Sequence, residues 1–270
     1  LAKDAEGHKQ IRELSTRAWM RSWMNGKMRR VPTYYQDLID IIGSNPGHVV
    51  GSTACLGGFL GTKILQWYTR GNDTAFYNKI RRWCMQMEGI FGRGNFFLEM
   101  QPSANDEQLI VNKQIYLLSQ DLNIPFIITT DSHYCRKEDA PIHKAFLNAQ
   151  EGDREVDSFY ATTYVMDTNE IESYMENFTN EVFQEAYENI IKIRDMCEDF
   201  SLKKPLKIPS LQWKIPTTKT LPEFWYDKIP YLKTFHESTF DGDRRLVELV
   251  IEKLENNPSL QTKEIYDELK

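Results

Sequence analysis

The sequence predicts an α/β protein built around a mainly parallel sheet or barrel. Its most informative stretch, residues 124–134, begins with the apolar run Ile-Pro-Phe-Ile-Ile and ends in Asp131-Ser-His133. An apolar run without a helical period, bracketed by polar segments, is typical of a strand buried on both faces. Two further strand candidates, residues 48–55 and 95–101, alternate with helical patterns, which indicates β-α-β units.

Helical periodicity accounts for much of the remaining chain. Helices are predicted at residues 4–24, 32–42, 73–91, 105–122, 137–148, 168–178 and 181–197, and a further strand at 161–165. Asn25-Gly26 and the basic run to Arg30 close the first helix, and Asp73 or Thr74 caps the third. A glycine-rich turn, residues 55–61, follows the first strand. Aromatic residues along 19–23 and 224–231 are expected in the core rather than in a stacking surface for nucleic acid.

The composition changes near Ser201. Residues 203–216 contain Pro205, Pro209 and Pro216, a composition that is typical of an extended linker. Beyond it, residues 221–236 and 244–270 are predicted to be helical, with a break at Asn257-Pro258. The sequence therefore divides into a main α/β domain (1–200), a linker (201–218) and a small helical segment (219–270). Because the chain begins with Leu in helical sequence, we expect it to be a fragment of a longer protein.

Composition excludes several classes of protein. A net charge of −6 over 270 residues argues against a broadly basic nucleic-acid binder, although local patches such as Arg81-Arg82 or Lys203-Lys204 remain compatible with it. The four cysteines form no CxxC pair, so reduced thiols in a cytoplasmic setting are expected. No apolar run approaches membrane-spanning length, and no signal peptide is recognisable.

Two residues after the buried run are the first candidates for chemistry. Asp131 and His133 are two positions apart, and on extended backbone that spacing places both side chains on one face. A carboxylate and an imidazole at the carboxyl end of a buried strand form metal or acid-base sites in α/β proteins. The alternative is that Asp131 caps the following turn and that His133 is an ordinary hydrogen-bonded loop residue.

Three other side chains extend this candidate site. Cys55 lies between a strand and a glycine-rich turn, so its thiol is expected either to face a ligand or to be a small buried hydrophobe. With Asp131 and His133 it offers sulfur, oxygen and nitrogen, a set that suits zinc better than magnesium or calcium. Glu99 is either an inward acid or a solvated strand residue. His143, on a helix, has packing as its default interpretation.

Five stretches, in this order and spacing, form a fairly specific pattern. They are LAKDAEG (1–7), GSTACLGG (51–58), FFLEMQ (96–101), IPFIITTDSHY (124–134) and EDAPIH (138–143). The pattern resembles the N-terminal polymerase-and-histidinol-phosphatase (PHP) domain of the bacterial DNA polymerase III alpha subunit family. The resemblance covers about residues 1–200, and the later part is similar to the connection into the polymerase palm.

The resemblance implies a distorted (β/α) barrel of the PHP type whose strand ends hold up to three metal ions. Cys55 matches the cysteine ligand of the family, and Asp131 and His133 match its Asp-x-His ligands, with zinc or manganese as the metal. Glu99 and His143 are expected close behind these ligands. The remaining family ligands would precede Leu1, so the N-terminal strands of the barrel are expected to be missing here.

The same resemblance implies a part of a replicative DNA polymerase that uses DNA, dNTPs and magnesium. The PHP domain would be a 3′-5′ exonuclease-like phosphoesterase or a scaffold for a proofreading exonuclease subunit, and a sliding clamp is a further expected partner. The palm aspartates would follow Lys270, so this piece alone should not polymerise DNA. The alternatives are a stand-alone phosphoesterase of the histidinol-phosphatase type, against which the segment after Ser201 weighs, and a non-catalytic interaction module.

Overall fold

The computed structural model of the chain describes residues 1–149, 160–203, 205–206 and 222–269. These residues fall into two compact units, Leu1–Leu202 and Lys203–Lys270. Most of the predicted linker, residues 201–218, lies outside the described residues. No described helix has both the length and the apolar character that crossing a membrane requires.

The first unit contains eight described helices and five described strands. They are α1 (Ala5–Met20), β1 (Trp23–Asn25), β2 (Met28–Arg30), α2 (Tyr35–Leu38), β3 (Gly51–Ser52), α3 (Phe59–Thr69), α4 (Thr74–Phe91), β4 (Phe96–Met100), α5 (Asp106–Leu122), β5 (Phe126–Ile128), α6 (Ala140–Asn148), α7 (Thr168–Ser173) and α8 (Asn180–Asp195). A π-helical turn, Ile39–Gly43, continues α2, and a 3₁₀ turn, Lys137–Asp139, precedes α6.

A parallel sheet with the strand order β3-β4-β5 organises this unit. This confirms that the strands preceding Cys55 and Thr130 lie parallel in one sheet, separated by helices. The strands are shorter than predicted. Val50 pairs with the start of the chain instead of extending β3, because its N–H donates to the Leu1 carbonyl oxygen at 2.8 Å. The strand predicted at 161–165 is only an isolated bridge between Tyr134 and Tyr164 in the described chain.

The two faces of β4 are covered by different parts of the core. Phe96, Leu98 and Met100 belong to the main cluster of buried residues, which includes side chains of α3, α4 and α5. Phe97 belongs to a smaller cluster on the other face, against Ile193 of α8. This alternation follows from the two-residue period of a strand.

Helices α4 and α5 match the prediction to within one residue, whereas α7 ends at Ser173 instead of residue 178. The Asp73 carboxylate accepts hydrogen bonds from the backbone N–H groups at the start of α4, and Gly92 ends that helix with φ of +87°. The Asn105 side chain accepts from the Glu107 N–H at 2.8 Å at the start of α5. Such caps satisfy backbone donors that have no partner within the helix.

Two predictions in the first quarter of the chain are wrong. The helix predicted over 4–24 ends at Met20, and residues 23–30 form an antiparallel hairpin because Gly26, with φ of +60°, allows the chain to reverse. The turn predicted at 55–61 is shorter than expected, because α3 begins at Phe59 within it. Gly61, in the first turn of α3, cannot be replaced without movement, since a Cβ there would lie 2.5 Å from the Leu56 carbonyl oxygen.

The second unit is helical. Its described elements are α9 (Glu223–Lys228), α10 (Tyr231–His236), α11 (Asp241–Asn256) and α12 (Lys263–Glu268), with a 3₁₀ turn at Pro258–Leu260. The break at Asn257-Pro258 is as predicted, whereas Pro230 also interrupts the helix predicted over 221–236. Trp225, which is 3% exposed, packs in a separate core with Ile251 and Leu254 of α11.

Candidate functional site

The carboxyl ends of β3, β4 and β5 lie at one edge of the sheet because the three strands are parallel. Residues 53–55, 101–103 and 129–131 follow these ends directly. Ligand sites of open α/β sheets are found outside this edge. The candidate residues at positions 55 and 131 therefore belong to segments that the fold brings to the same side of the molecule.

Glu99 connects all three strands near this edge. Its carboxylate accepts hydrogen bonds from the Ser52 hydroxyl at 2.5 Å, the Thr129 hydroxyl at 2.6 Å and the Gln101 amide at 3.2 Å. The Glu99 backbone N–H donates to the Thr53 hydroxyl at 2.9 Å. The hydroxyl and amide donors fix the orientation of the carboxylate. The structure thus places Glu99 as a half-buried acid rather than a fully solvated strand residue.

The side of the sheet that carries Glu99 opens into a groove of about 510 Å³. Its apolar lining is contributed by Leu1, Ile11, Leu14, Leu38, Ile42, Val49, Val50, Phe91, Ile127 and Ile193. Ser52, Glu99 and Thr129 supply polar side chains in the same lining. No ion pair joins the Glu99 carboxylate to a Lys or Arg side chain within the part of the chain that the structure describes.

The backbone at Asp131 differs from the extended conformation that the sequence predicts. Strand β5 ends at Ile128, and Asp131 has φ of +46°, so residues 131–133 do not continue an extended strand. Aspartate is one of the few residues that adopt this left-handed conformation readily. Asp131 lines a cleft of about 20 Å³, too small for a substrate, together with polar residues that include Gln101, Ser103 and Thr163.

His133 is held by backbone groups on two sides. The backbone N–H of His133 donates to the Thr163 carbonyl oxygen at 2.7 Å, and the ring Nδ1 lies 2.6 Å from the Asp131 backbone carbonyl oxygen. Because a carbonyl oxygen can only accept, Nδ1 is the donor in this contact. The structure thus shows His133 as a hydrogen-bonded loop residue.

The ring of His133 belongs to an aromatic cluster outside the sheet. Ring centroids lie 5.8 Å apart for His133 and His143, 5.1 Å for His133 and Tyr160, and 5.2 Å for Tyr134 and His143. Partial burial, followed by the charge of His133, lowers the pKa of His143. The His143 ring packs within this aromatic cluster, and its place behind the proposed ligands stays a prediction.

Cys55 occupies a tight turn between β3 and α3. Its carbonyl oxygen accepts from the Gly58 N–H at 2.8 Å. A Cβ at Gly58 would lie 2.8 Å from the Thr53 carbonyl oxygen, so this position requires glycine. The thiol is partly buried. Leu56, the next residue, lines the small cleft beside Asp131.

The described residues contain no group of three or more His, Cys, Asp or Glu side chains that could hold a metal ion. Cys55, Asp131 and His133 are therefore not gathered into such a group. Their assignment as metal ligands stays a prediction. Ser52 and Thr129 are absent from the residues that the sequence predicts for the site, and their only signal is a hydroxyl at the end of each neighbouring strand.

The relatives found by comparison with known proteins are named as DNA polymerases. No profile of a known protein family matches the chain. The chain is 35% identical over 274 residues to the probable DNA polymerase YorL of Bacillus subtilis and to the DNA-directed DNA polymerase of Bacillus phage SPbeta, which covers 98% of this chain and 21% of each relative. It is 26% identical over 212 residues to the DNA polymerase III subunit alpha of Borreliella burgdorferi, which covers 76% of this chain and 16% of that protein. The chain thus spans about a fifth of the length of the first two of these relatives.

Proposed function

The chain is related to the alpha subunits of DNA polymerase III, and from that premise we propose that it is a segment of a DNA-directed DNA polymerase of DNA replication. The observation that carries the proposal is the 35% identity that extends over 98% of the chain. The longer polymerase would use DNA and dNTPs as substrates and magnesium at its polymerising site, in the cytoplasm. These properties are proposed for the longer protein and not for this chain alone.

Within that polymerase we assign residues 1–200 to a PHP-type domain. The parallel sheet carries helices α3, α4 and α5 against one face, and on the other face an apolar groove lies beside Ile193 of α8. Apolar surface of this extent is normally covered in a complete domain. Further strands of the longer protein, packed over the groove, would close the sheet into the distorted barrel that the resemblance implies. Glu99 would then point into the barrel.

The metal site of this domain is proposed for the longer protein. Cys55, Asp131 and His133 are its proposed ligands for zinc or manganese, with Glu99 and His143 behind them. These residues alone do not fit a metal ion, because the described chain forms no three-ligand group. We therefore derive no hydrolytic step from this chain, and the exonuclease-like activity would depend on ligands supplied by the rest of the polymerase.

A scaffolding role is the second candidate function. In this role the domain would hold a proofreading exonuclease subunit instead of cleaving DNA itself. A stand-alone phosphoesterase is disfavoured, since the chain continues into a separate helical unit with its own core.

Primer extension tests the proposed function. The longer protein that contains this chain should add dNTPs to a primed DNA template when magnesium is present, and the 270-residue chain alone should add none. Failure of the longer, folded protein to extend any primed template would contradict the assignment to a polymerase.

A further inference from the structure

The hairpin formed by β1 and β2 is exposed on both of its faces. All six strand residues are exposed, among them Trp23 at 49%, Met24 at 54% and Met28 at 50%. At the end of the preceding helix, Trp19 is 58% exposed. The prediction that the aromatic residues along 19–23 lie in the core is therefore wrong. Along 224–231 it is correct for Trp225, which is 3% exposed, and wrong for Phe224 and Tyr231, which are 48% and 58% exposed. A two-stranded hairpin without a packed face is marginal by itself, so its exposed apolar side chains need a reason.

Positive charge is concentrated in the same part of an otherwise acidic chain. Residues 14–36 contain no Asp or Glu. Their cations are Arg17, Arg21, Lys27, Arg29 and Arg30. Arg21 is neutralised by Asp37 at 2.6 Å. Arg29 donates only to the Ser22 hydroxyl at 3.0 Å, and neither Arg29 nor Arg30 pairs with a carboxylate among the described residues.

The strand register places an aromatic ring beside an unpaired guanidinium. Trp23 is directly opposite Arg30, and Met24 is opposite Arg29. Side chains of directly opposite residues project to the same face of a hairpin. One face thus presents the indole of Trp23 and the guanidinium of Arg30. The other face presents the guanidinium of Arg29.

We propose that this hairpin is a binding site for single-stranded DNA, with Trp23 stacking on a base and Arg29 and Arg30 contacting phosphates. An aromatic ring near cations that no carboxylate neutralises is a combination with which proteins hold single strands, because each base has a stacking face and each nucleotide a negative charge. The choice of DNA as the nucleic acid rests on the proposed function. Charge and stacking together favour a nucleic acid over a purely apolar protein partner.

Fluorescence anisotropy of the 270-residue chain with a labelled oligothymidylate tests this site. Affinity falls as salt rises, and the double variant Arg29→Gln, Arg30→Gln should make this dependence less steep. The negative slope of log affinity against log salt, measured between about 50 and 200 mM salt, should shrink in magnitude by about 0.7 for each phosphate that the variant no longer neutralises. Trp23→Ala should weaken binding roughly 5-fold to 100-fold at one salt concentration.

Matched variants at remote exposed positions serve as controls. Arg93→Gln, between α4 and β4, and Tyr68→Ala, on α3, remove a cation and an aromatic ring, and both positions are exposed. They should leave the affinity and the salt slope unchanged. Thermal melts of all variants should coincide with that of the unsubstituted chain, because the hairpin substitutions remove no buried side chain.

Three results would overturn the inference. The first is unchanged binding by both hairpin variants, which would locate the DNA site elsewhere. The second is no binding of the oligothymidylate together with binding to vesicles of phosphatidylcholine and phosphatidylserine that the hairpin substitutions abolish, which would indicate a membrane surface. The third is binding to neither ligand. Because the assay needs no nucleotide addition, DNA binding by the chain stands even if the longer protein fails in primer extension.

Discussion

At the scale of single residues, the end of β4 depends on one buried amide. Asn112 is fully buried, and its side chain donates to the Gln101 carbonyl oxygen at 2.7 Å and accepts from the Gln101 N–H at 3.1 Å. Gln101 in turn donates to Glu99. This amide therefore replaces the strand neighbour that β4 lacks after Met100, and it positions the residues beside the candidate site.

Substituting this amide should lower stability. Asn112→Ala leaves the Gln101 N–H and carbonyl without partners in a buried place, at a cost of about 1–3 kcal/mol for each group. The free energy of unfolding in urea measures the effect. Asn78→Ala, at an exposed position of α4, is the matched control and should change it by less than about 0.5 kcal/mol. Equal stabilities of the two variants would refute this role of Asn112.

Thiol reactivity should separate two cysteines. Burial raises the pKa of the Cys84 thiol to about 12, whereas Cys135 is exposed. Only thiolate reacts with disulfide reagents. In the folded chain we expect Cys135 to react rapidly with 5,5′-dithiobis(2-nitrobenzoate) and Cys84 to react only after denaturation. Cys135→Ser should abolish the fastest phase, and its persistence in that variant would contradict the assignment.

Acid stability should depend on Asp4. Burial opposes the shift, but the Gly7 N–H and the His48 imidazole, whose Nδ1 lies 2.6 Å away, lower the pKa of Asp4 below its ordinary value of 3.8. A lowered pKa in the folded state contributes stability above the ordinary value, and this contribution is lost as the pH falls through the folded-state pKa. Asp4→Asn should therefore lower Tm above pH 3.8 and reduce the fall of Tm below it. Asp199→Asn, at an exposed position, should leave the profile unchanged. Identical profiles for Asp4→Asn and the unsubstituted chain would exclude the effect.

The candidate site was only partly predictable at this scale. The strand ends indicated Cys55, Asp131 and Glu99 because parallel strands end at a common edge. The left-handed backbone at Asp131 was not predictable, since it depends on where the pairing of β5 with β4 stops. Two of the three hydrogen bonds to the Glu99 carboxylate come from residues distant in sequence, which no local pattern reveals.

At the scale of elements, the turn between β3 and α3 depends on glycine at one position and not at its neighbour. A Cβ at Gly58 would lie 2.8 Å from the Thr53 carbonyl oxygen, whereas at Gly57 the nearest heavy atom, the Cys55 Sγ, would be 4.0 Å away. Gly58→Ala should lower the free energy of unfolding by about 1–3 kcal/mol because backbone must move. Gly57→Ala should be nearly neutral. Chemical denaturation of the pair tests this, and a neutral Gly58→Ala would show that the turn adapts.

Elements were predictable where capping and periodicity agreed. Asp73 and Asn105 indicated the starts of α4 and α5 to within a residue. The hairpin at 23–30 and helix α3 were not predictable from glycine positions alone. Gly26, which was expected to close the first helix, reverses the chain between two strands, and Gly61 permits close approach within a helix. Tertiary contacts decide whether a glycine reverses the chain or allows close packing within a helix.

At the scale of the whole molecule, the parallel order β3-β4-β5 followed from strands alternating with helices, and the sequence relatives agree with the family that the motifs indicated. The open groove beside Glu99 was not predictable, because it depends on which apolar side chains lack a cover. In our account the groove and the lack of a three-ligand group in the described chain have the same explanation. Other parts of the proposed longer polymerase would cover the groove and supply the missing ligands.

Metal content of the longer protein tests this account most directly. Elemental analysis should find zinc or manganese in the unsubstituted protein and a lower content after Asp131→Asn or His133→Ala. Asparagine keeps the left-handed backbone at position 131 but removes the charge that favours metal binding. Asp121→Asn, at a carboxylate that pairs with Arg81 on the surface, should retain the full content. Equal metal content in the unsubstituted protein and in the folded variants at positions 131 and 133 would contradict the account.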